Sequence, residues 1–244
     1  MYKIIIVLIA TIIIVILLIK RFVYFRPEYG FRKPEENYED IYQSGLHAWY
    51  KKGTSGKVIL FCHGNGGNIS YCQDKIHQLL QMGHSVLAFD YKGYGQSIGV
   101  PSEQSCYDGA EVYYNYLQRQ GYMKENIIPY GESLGGVVAI YLARKFQLPK
   151  VILQSSIVSI KSIIKYRLNT FLGSLLGKIF YEFDTEYFLQ GYKGTILFLH
   201  SKTDEIIPYN TTVNIREKLN KNYSYNITSI DINGTHNYPS IPWE

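Results

Sequence analysis

The chain has 244 residues, 46% of them hydrophobic and only 18% charged, with a net charge of +5. That length and composition fit a single sizeable core and exclude a disordered or coiled-coil chain. The 25 basic residues are scattered rather than clustered, which argues against a nucleic-acid partner and suits a surface beside an anionic bilayer at least as well.

The N-terminus stands apart from the rest. Ile4 to Ile19 is an uncharged apolar run between Lys3 and the pair Lys20 and Arg21. As a helix, its 16 residues reach roughly 24 Å, against a hydrocarbon core of about 30 Å, and the following "FVYF" extends the apolar reach. Tyr24 and its aromatic neighbours suit an interfacial belt. No small-residue cleavage site follows, so residues 1–26 are expected to be an uncleaved single-pass membrane anchor rather than a signal peptide. Lys20, Arg21 and Arg26 after the run tilt the positive-inside rule towards a cytosolic domain. Residues 27–37 read as a polar linker and residues 38–244 as one domain.

Short antiparallel edge strands are expected over 40–52, followed by an alternation. Apolar runs at 57–64, 85–91, 126–133, 150–156, 195–201 and 225–232 read as strands. Helical segments fall near 70–82, 104–120, 134–146 and 209–221. Such alternation implies a mostly parallel sheet with helices on both faces. Residues 156–194, with "FLGSLLGKIFYEF", occupy the place of a short lid and fit an acyl-chain cover or plain core packing equally. Cys62, Cys72 and Cys106 cannot all pair, and none has a metal-ligand spacing.

The stretch "IIPYGESLGG" places Ser133 where a buried strand gives way to a helix, with Gly131 and Gly135 two residues to either side. In a sharp strand-to-helix turn a serine side chain stands clear of the sheet, and its neighbours approach too closely for a Cβ. The helix N-terminus beside it favours developing negative charge. A serine nucleophile needs a base and an orienting carboxylate, which in this arrangement follow in the order acid, histidine. After Ser133 the chain has two histidines. His200 lies inside the strand "TILFLHS", where a packed or hydrogen-bonded role is expected, whereas His236 lies in the turn-rich "DINGTHNYP" after the last strand. Asp204, in the loop after "TILFLHS", is the acid; Glu205, Asp184 and Asp231 are less well placed. Leu134, directly after the nucleophile, supplies one oxyanion-hole N–H, and Asn65 in the glycine-rich "FCHGNGGN" is the candidate for the second. That loop lacks the spacing of a nucleotide-binding turn.

In order, "HGNGGN", "FDYKGYGQSIGVPSE", "YGESLGG", "TDEIIP" and "GTHN" resemble the membrane-anchored serine hydrolases of the α/β-hydrolase fold, in particular the Bem46-like group and the α/β-hydrolase domain-containing protein 13 type. The resemblance runs from about Tyr38 to His236 and implies Ser133, Asp204 and His236 as the triad, with Asn65 and Leu134 as oxyanion donors and Asp90 as a structural residue. It also implies a further helix after the histidine loop, where this chain has eight residues, so His236 is expected to be held less firmly. The expected activity is cleavage of an acyl ester or thioester, of a small molecule or a lipid, through an acyl-enzyme, with no cofactor and no metal. An acyltransferase and a catalytically weak scaffold are the alternatives. Asn68, Asn210, Asn222, Asn226 and Asn233 begin glycosylation sequons, two of them beside the expected site.

Overall fold

The computed structural model describes residues 2–19, 26–27, 30–168, 183–222 and 226–241. Its centre is a nine-stranded sheet in the order β11-β10-β9-β8-β7-β4-β6-β3-β2. The six central strands are β6 (Ser85–Phe89), β4 (Val58–Cys62), β7 (Ile127–Glu132), β8 (Lys150–Gln154), β9 (Thr195–Ser201) and β10 (Asn226–Gly234), and every pairing among these six is parallel. β2 (Glu39–Gln43) and β3 (Leu46–Lys51) pair antiparallel at one edge and β11 (Pro239–Ser240) at the other. The central position of β4 and β6 follows from composition. "VILFC" and "SVLAF" have no polar face apart from Ser85, and every residue of both is buried. Such runs are satisfied only where helices cover both faces of the sheet.

The covering helices are α2 (Gln73–Gln81), α3 (Glu103–Arg119), α4 (Leu134–Phe146) and α7 (Tyr209–Asn222), close to the expected helices, with the shorter α5 (Ile160–Leu168) and α6 (Thr185–Leu189) after β8. One apolar cluster packs around α3 and α4 and includes Tyr113, Val137 and Phe198; a second, with Trp49, Ile76 and Tyr130, fills the opposite face beneath α2. Of the expected lid, residues 169–182 lie outside the described residues. Phe183 at its end is fully buried and meets the Tyr107 ring edge-on, as core packing.

The N-terminal run forms α1 (Tyr2–Ile19). At 1.5 Å per residue its 18 residues extend roughly 27 Å. Among the described residues, no helix is long and apolar enough to cross a membrane. The expected transmembrane span is therefore not found. The apolar "FVYF" that was to lengthen it lies outside the described residues.

Candidate active site

All six parallel strands end at one edge, and their following loops converge there, as ligand sites do in open α/β sheets. Ser133 sits between β7 and α4 with φ 53° and ψ −115°, a backbone that non-glycine residues adopt only under constraint. The flanking glycines impose it. A Cβ on Gly131 would lie 2.1 Å from the Gly135 carbonyl oxygen, and one on Gly135 would lie 2.0 Å from that of Cys62. Both obstacles are backbone, so no side chain can yield. Leu134 opens α4, which leaves its N–H without an intrahelical acceptor.

Asp204 follows β9, and His236 follows β10, its neighbour in the sheet. The structure brings the two together: His236 Nδ1 lies 2.8 Å from Asp204 Oδ2 and 3.0 Å from Oδ1, with both residues buried. Among the described residues no hydrogen bond joins the Ser133 hydroxyl to His236. Contacts within the domain tie the histidine loop down. Gly234 (φ 93°) and Pro239 pair across the loop, the hydroxyls of Ser201 and Thr203 donate to the Gly234 carbonyl, and Glu205 Oε2 accepts the His236 N–H at 3.0 Å.

His200 has a closer relation to the site than its strand position foretold. Its Nε2 lies 2.9 Å from the Ile207 carbonyl and 3.3 Å from Asp204 Oδ2. Both are acceptors, so Nε2 carries the proton, and Nδ1 accepts the Thr212 hydroxyl at 2.5 Å. Asp204 Oδ1 also accepts the N–H groups of Ile206 (3.0 Å) and Ile207 (2.7 Å). Burial by itself raises the Asp204 carboxyl, but the hydrogen bonds from His200, His236 and Ile207 outweigh it and hold the group well below the usual carboxylate range. The sequence signal for this role was the i, i+4 spacing of His200 and Asp204 across the end of β9.

The glycine-rich loop after β4 lies against Ser133: a Cβ on Gly64 would be 3.5 Å from that of Ser133. Tyr91 donates to the His63 carbonyl at 2.8 Å and Tyr94 to Asn65 Oδ1 at 2.9 Å, which fixes the stretch bearing the Asn65 N–H. Asp90 is fully buried and accepts the Ile69 N–H at 2.9 Å, a structural role at the foot of the same loop. Ser155, with φ 43° and a buried hydroxyl without a partner among the described residues, is a second constrained position, at the end of β8 between the serine and acid strands.

Residues 53–191 match Hydrolase_4, the serine aminopeptidase S33 family; Ser133 lies inside the matched stretch, Asp204 and His236 beyond it. An uncharacterized protein of Acanthamoeba polyphaga mimivirus is 32% identical over 208 residues, covering 78% of this chain and 70% of that one. An uncharacterized membrane protein of Saccharomyces cerevisiae is 32% identical over 176 residues, covering 67% of this chain and 60% of that one. An α/β hydrolase from Vibrio vulnificus superposes with a TM-score of 0.70 at 26% identity, covering 81% of this chain and 74% of its own. With a family match across more than half its length and a relative aligned across more than two thirds of both chains, this chain belongs to the serine aminopeptidase S33 family of the α/β-hydrolase superfamily.

Proposed function

We propose that the protein is a membrane-associated serine hydrolase that cleaves acyl esters or thioesters through Ser133, His236 and Asp204. The observation that carries this reading is the Asp204–His236 contact at 2.8 Å, at the same sheet edge as the constrained Ser133. In this mechanism Asp204 holds the proton on His236 Nδ1, leaving Nε2 free to accept. Ser133 Oγ attacks the substrate carbonyl as its proton passes to His236 Nε2. The oxyanion rests on the N–H groups of Leu134 and Asn65, and the imidazolium then protonates the departing alcohol or thiol. Water, deprotonated by the same Nε2, releases the acyl group from Ser133. The two fixed N–H donors act in a site where they need no reorganisation.

The family name speaks of peptide bonds. We favour the ester or thioester because an amine leaving group needs stronger protonation, and the donor this reading offers it is His236. Membrane association is supported by the apolar α1 and by a yeast relative whose name describes a membrane protein. The test is labelling by a fluorophosphonate probe, with Ser133→Ala as the control, followed by turnover of p-nitrophenyl esters, an acyl thioester and an aminoacyl p-nitroanilide. An alcohol acceptor in parallel reactions reports acyl transfer. Labelling that survives Ser133→Ala at the original rate defeats the reading; p-nitroanilide turnover above ester turnover shifts it to peptide hydrolysis.

A further inference from the structure

Residues 27–37 read as a polar linker, yet residues 26–27 and 30–35 are bonded to the glycine-rich loop after β4 and the turn that follows it. Arg26 and Pro27 form β1, which pairs in parallel with Gly66 and Gly67, forming β5, immediately after Asn65. Asn68 Nδ2 donates to the Gly30 carbonyl at 2.7 Å, and the Arg32 N–H donates to Ser70 Oγ at 2.9 Å. The Glu35 N–H donates to Gln73 Oε1 at 2.7 Å, and Gln73 Nε2 donates back to the Lys33 carbonyl at 3.1 Å. The Arg32 guanidinium stacks over the Tyr71 ring at 4.2 Å, and Phe31 meets Trp49 edge-on at 5.4 Å. Asn68, Ser70 and Gln73 are all buried.

We infer that residues 26–27 and 30–35 are a working part of the active site, a strap that positions the oxyanion loop. The inference rests on the reading of Ser133 as nucleophile. A loop of sequence "HGNGG" has little intrinsic rigidity. An oxyanion donor is effective only when it is already fixed where the charge develops. From inside the molecule, Tyr91, Tyr94 and Asp90 hold His63, Asn65 and Ile69. From outside, the strap holds residues 66–73, so Gly64 and Asn65 are gripped on both sides. The six residues 20–25 between α1 and β1 span at most about 25 Å, so whatever holds α1 is tethered to the catalytic loop. Polar bonds from the strap backbone to the side chains of Asn68, Ser70 and Gln73 make the attachment together with the Phe31 and Arg32 ring contacts, and the polar bonds can be removed without opening the core.

The test uses the full chain. Gln73→Leu keeps the side-chain volume and removes both bonds to the strap, and Ser70→Ala removes the acceptor of the Arg32 N–H. Each is expected to lower kcat on a p-nitrophenyl ester roughly tenfold, part of the ~100-fold or more that follows outright loss of an oxyanion donor. KM should stay within about twofold and the acid limb of the pH profile should not move, because Asp204 and His236 are untouched. Gln73→Glu, which retains the acceptor for Glu35, should recover part of the loss. Hydrogen exchange at residues 65–68 should quicken while β6 to β9 remain protected. The inference is overturned if exchange quickens there with kcat unchanged, or if neither variant alters exchange in the loop. Ser133→Ala run alongside separates the two levels: abolished labelling with an unmoved kcat in Gln73→Leu removes the strap alone, whereas persistent labelling removes both.

Discussion

Asp204→Asn is the sharpest perturbation of the site, because the surroundings decide how the amide must sit. Oδ1 of Asp204 accepts two backbone N–H groups, from Ile206 at 3.0 Å and Ile207 at 2.7 Å. An asparagine must keep its carbonyl oxygen there, since an NH₂ group facing two donors would leave all of them unpaired. The NH₂ group then falls at the Oδ2 position, 2.8 Å from His236 Nδ1 and 3.3 Å from His200 Nε2. It donates to His236 Nδ1, which forces the ring proton onto Nε2. The base is then blocked at the atom that should receive the Ser133 proton. A wrong tautomer of this kind costs about 10,000-fold in kcat where it has been created in other triads, equivalent to roughly 5.4 kcal/mol. Fold stability should fall, because the ionised carboxylate that His200 and His236 stabilise is lost even though the volume and the two backbone bonds are kept. Steady-state hydrolysis of p-nitrophenyl butyrate measures the first effect and thermal unfolding the second. A variant within tenfold of the parent kcat, still folded, would refute Asp204 as the orienting acid.

Other outcomes follow from the same contacts. Gly135→Ala drives a Cβ to 2.0 Å from the Cys62 carbonyl, so a loss of about 3 kcal/mol and a fall of roughly 6–12 °C in Tm are expected by calorimetry; an unchanged Tm would show that α4 can shift. His200→Phe removes one donor from the Asp204 carboxylate, which should lower kcat about tenfold to a hundredfold and move the acid limb of kcat/KM to higher pH, since the more basic carboxylate favours the imidazolium. His200→Gln should restore part of both, and a pH profile unmoved in His200→Phe would leave the residue a purely packing role. Stability should also respond to pH at both ends. Burial opposes charge on His47, but Asp90 and Asp40 raise its affinity for a proton, so its stabilisation is full below about 6.5 and is lost as pH rises through the raised folded value. Asp204 is depressed, so its contribution is present above about 3.9 and is lost as pH falls towards the lower folded value. Denaturant melts from pH 4 to 9 should show the alkaline decline flattened in His47→Gln.

What was legible in the sequence was whatever apolar pattern or steric necessity writes into it. "VILFC" and "SVLAF" announce doubly covered strands because nothing else accommodates five consecutive buried residues. The elbow was legible because Gly131 and Gly135 are forced by backbone atoms at 2.1 and 2.0 Å. Chain order placed Asp204 after the penultimate expected strand and His236 after the last, and the structure pairs those two strands and puts the residues in contact. The strap was not legible. Its bonds run from a polar segment's backbone to Asn68, Ser70 and Gln73, and such pairing leaves no periodicity. The second histidine on Asp204 was hidden for a related reason: within "TILFLHS", His200 looks like any buried strand residue until the turn of Asp204–Ile207 folds back over its ring. β11 is two residues long, too short for any pattern, yet it closes the His236 loop. At the N-terminus the apolar run was plain, but its helix of 18 residues falls short of a full span.

Within the proposed membrane association, the side on which the domain sits is a further proposal, and the strap bears on it. Lys20, Arg21 and Arg26 follow the apolar run, a charge bias that favours a cytosolic domain. The sequon at Asn68 adds a structural reason. Its side chain is 1% exposed, its Nδ2 donates to the Gly30 carbonyl, and its Oδ1 accepts from the Ser70 N–H and hydroxyl. A glycan replaces one Nδ2 hydrogen and needs open space around the amide. The sugar is added to a lumenal chain before it folds, so modification at Asn68 would prevent the strap from closing on the oxyanion loop. Asn210, Asn226 and Asn233 are exposed and offer no such conflict. The expected result in a eukaryotic cell is a protein that shows no mobility shift with an endoglycosidase. A shift that disappears in the triple variant Asn210→Gln, Asn226→Gln, Asn233→Gln would place the domain across the membrane. Activity retained by that glycosylated form would then show that Asn68 escapes modification, as its place beneath the strap requires.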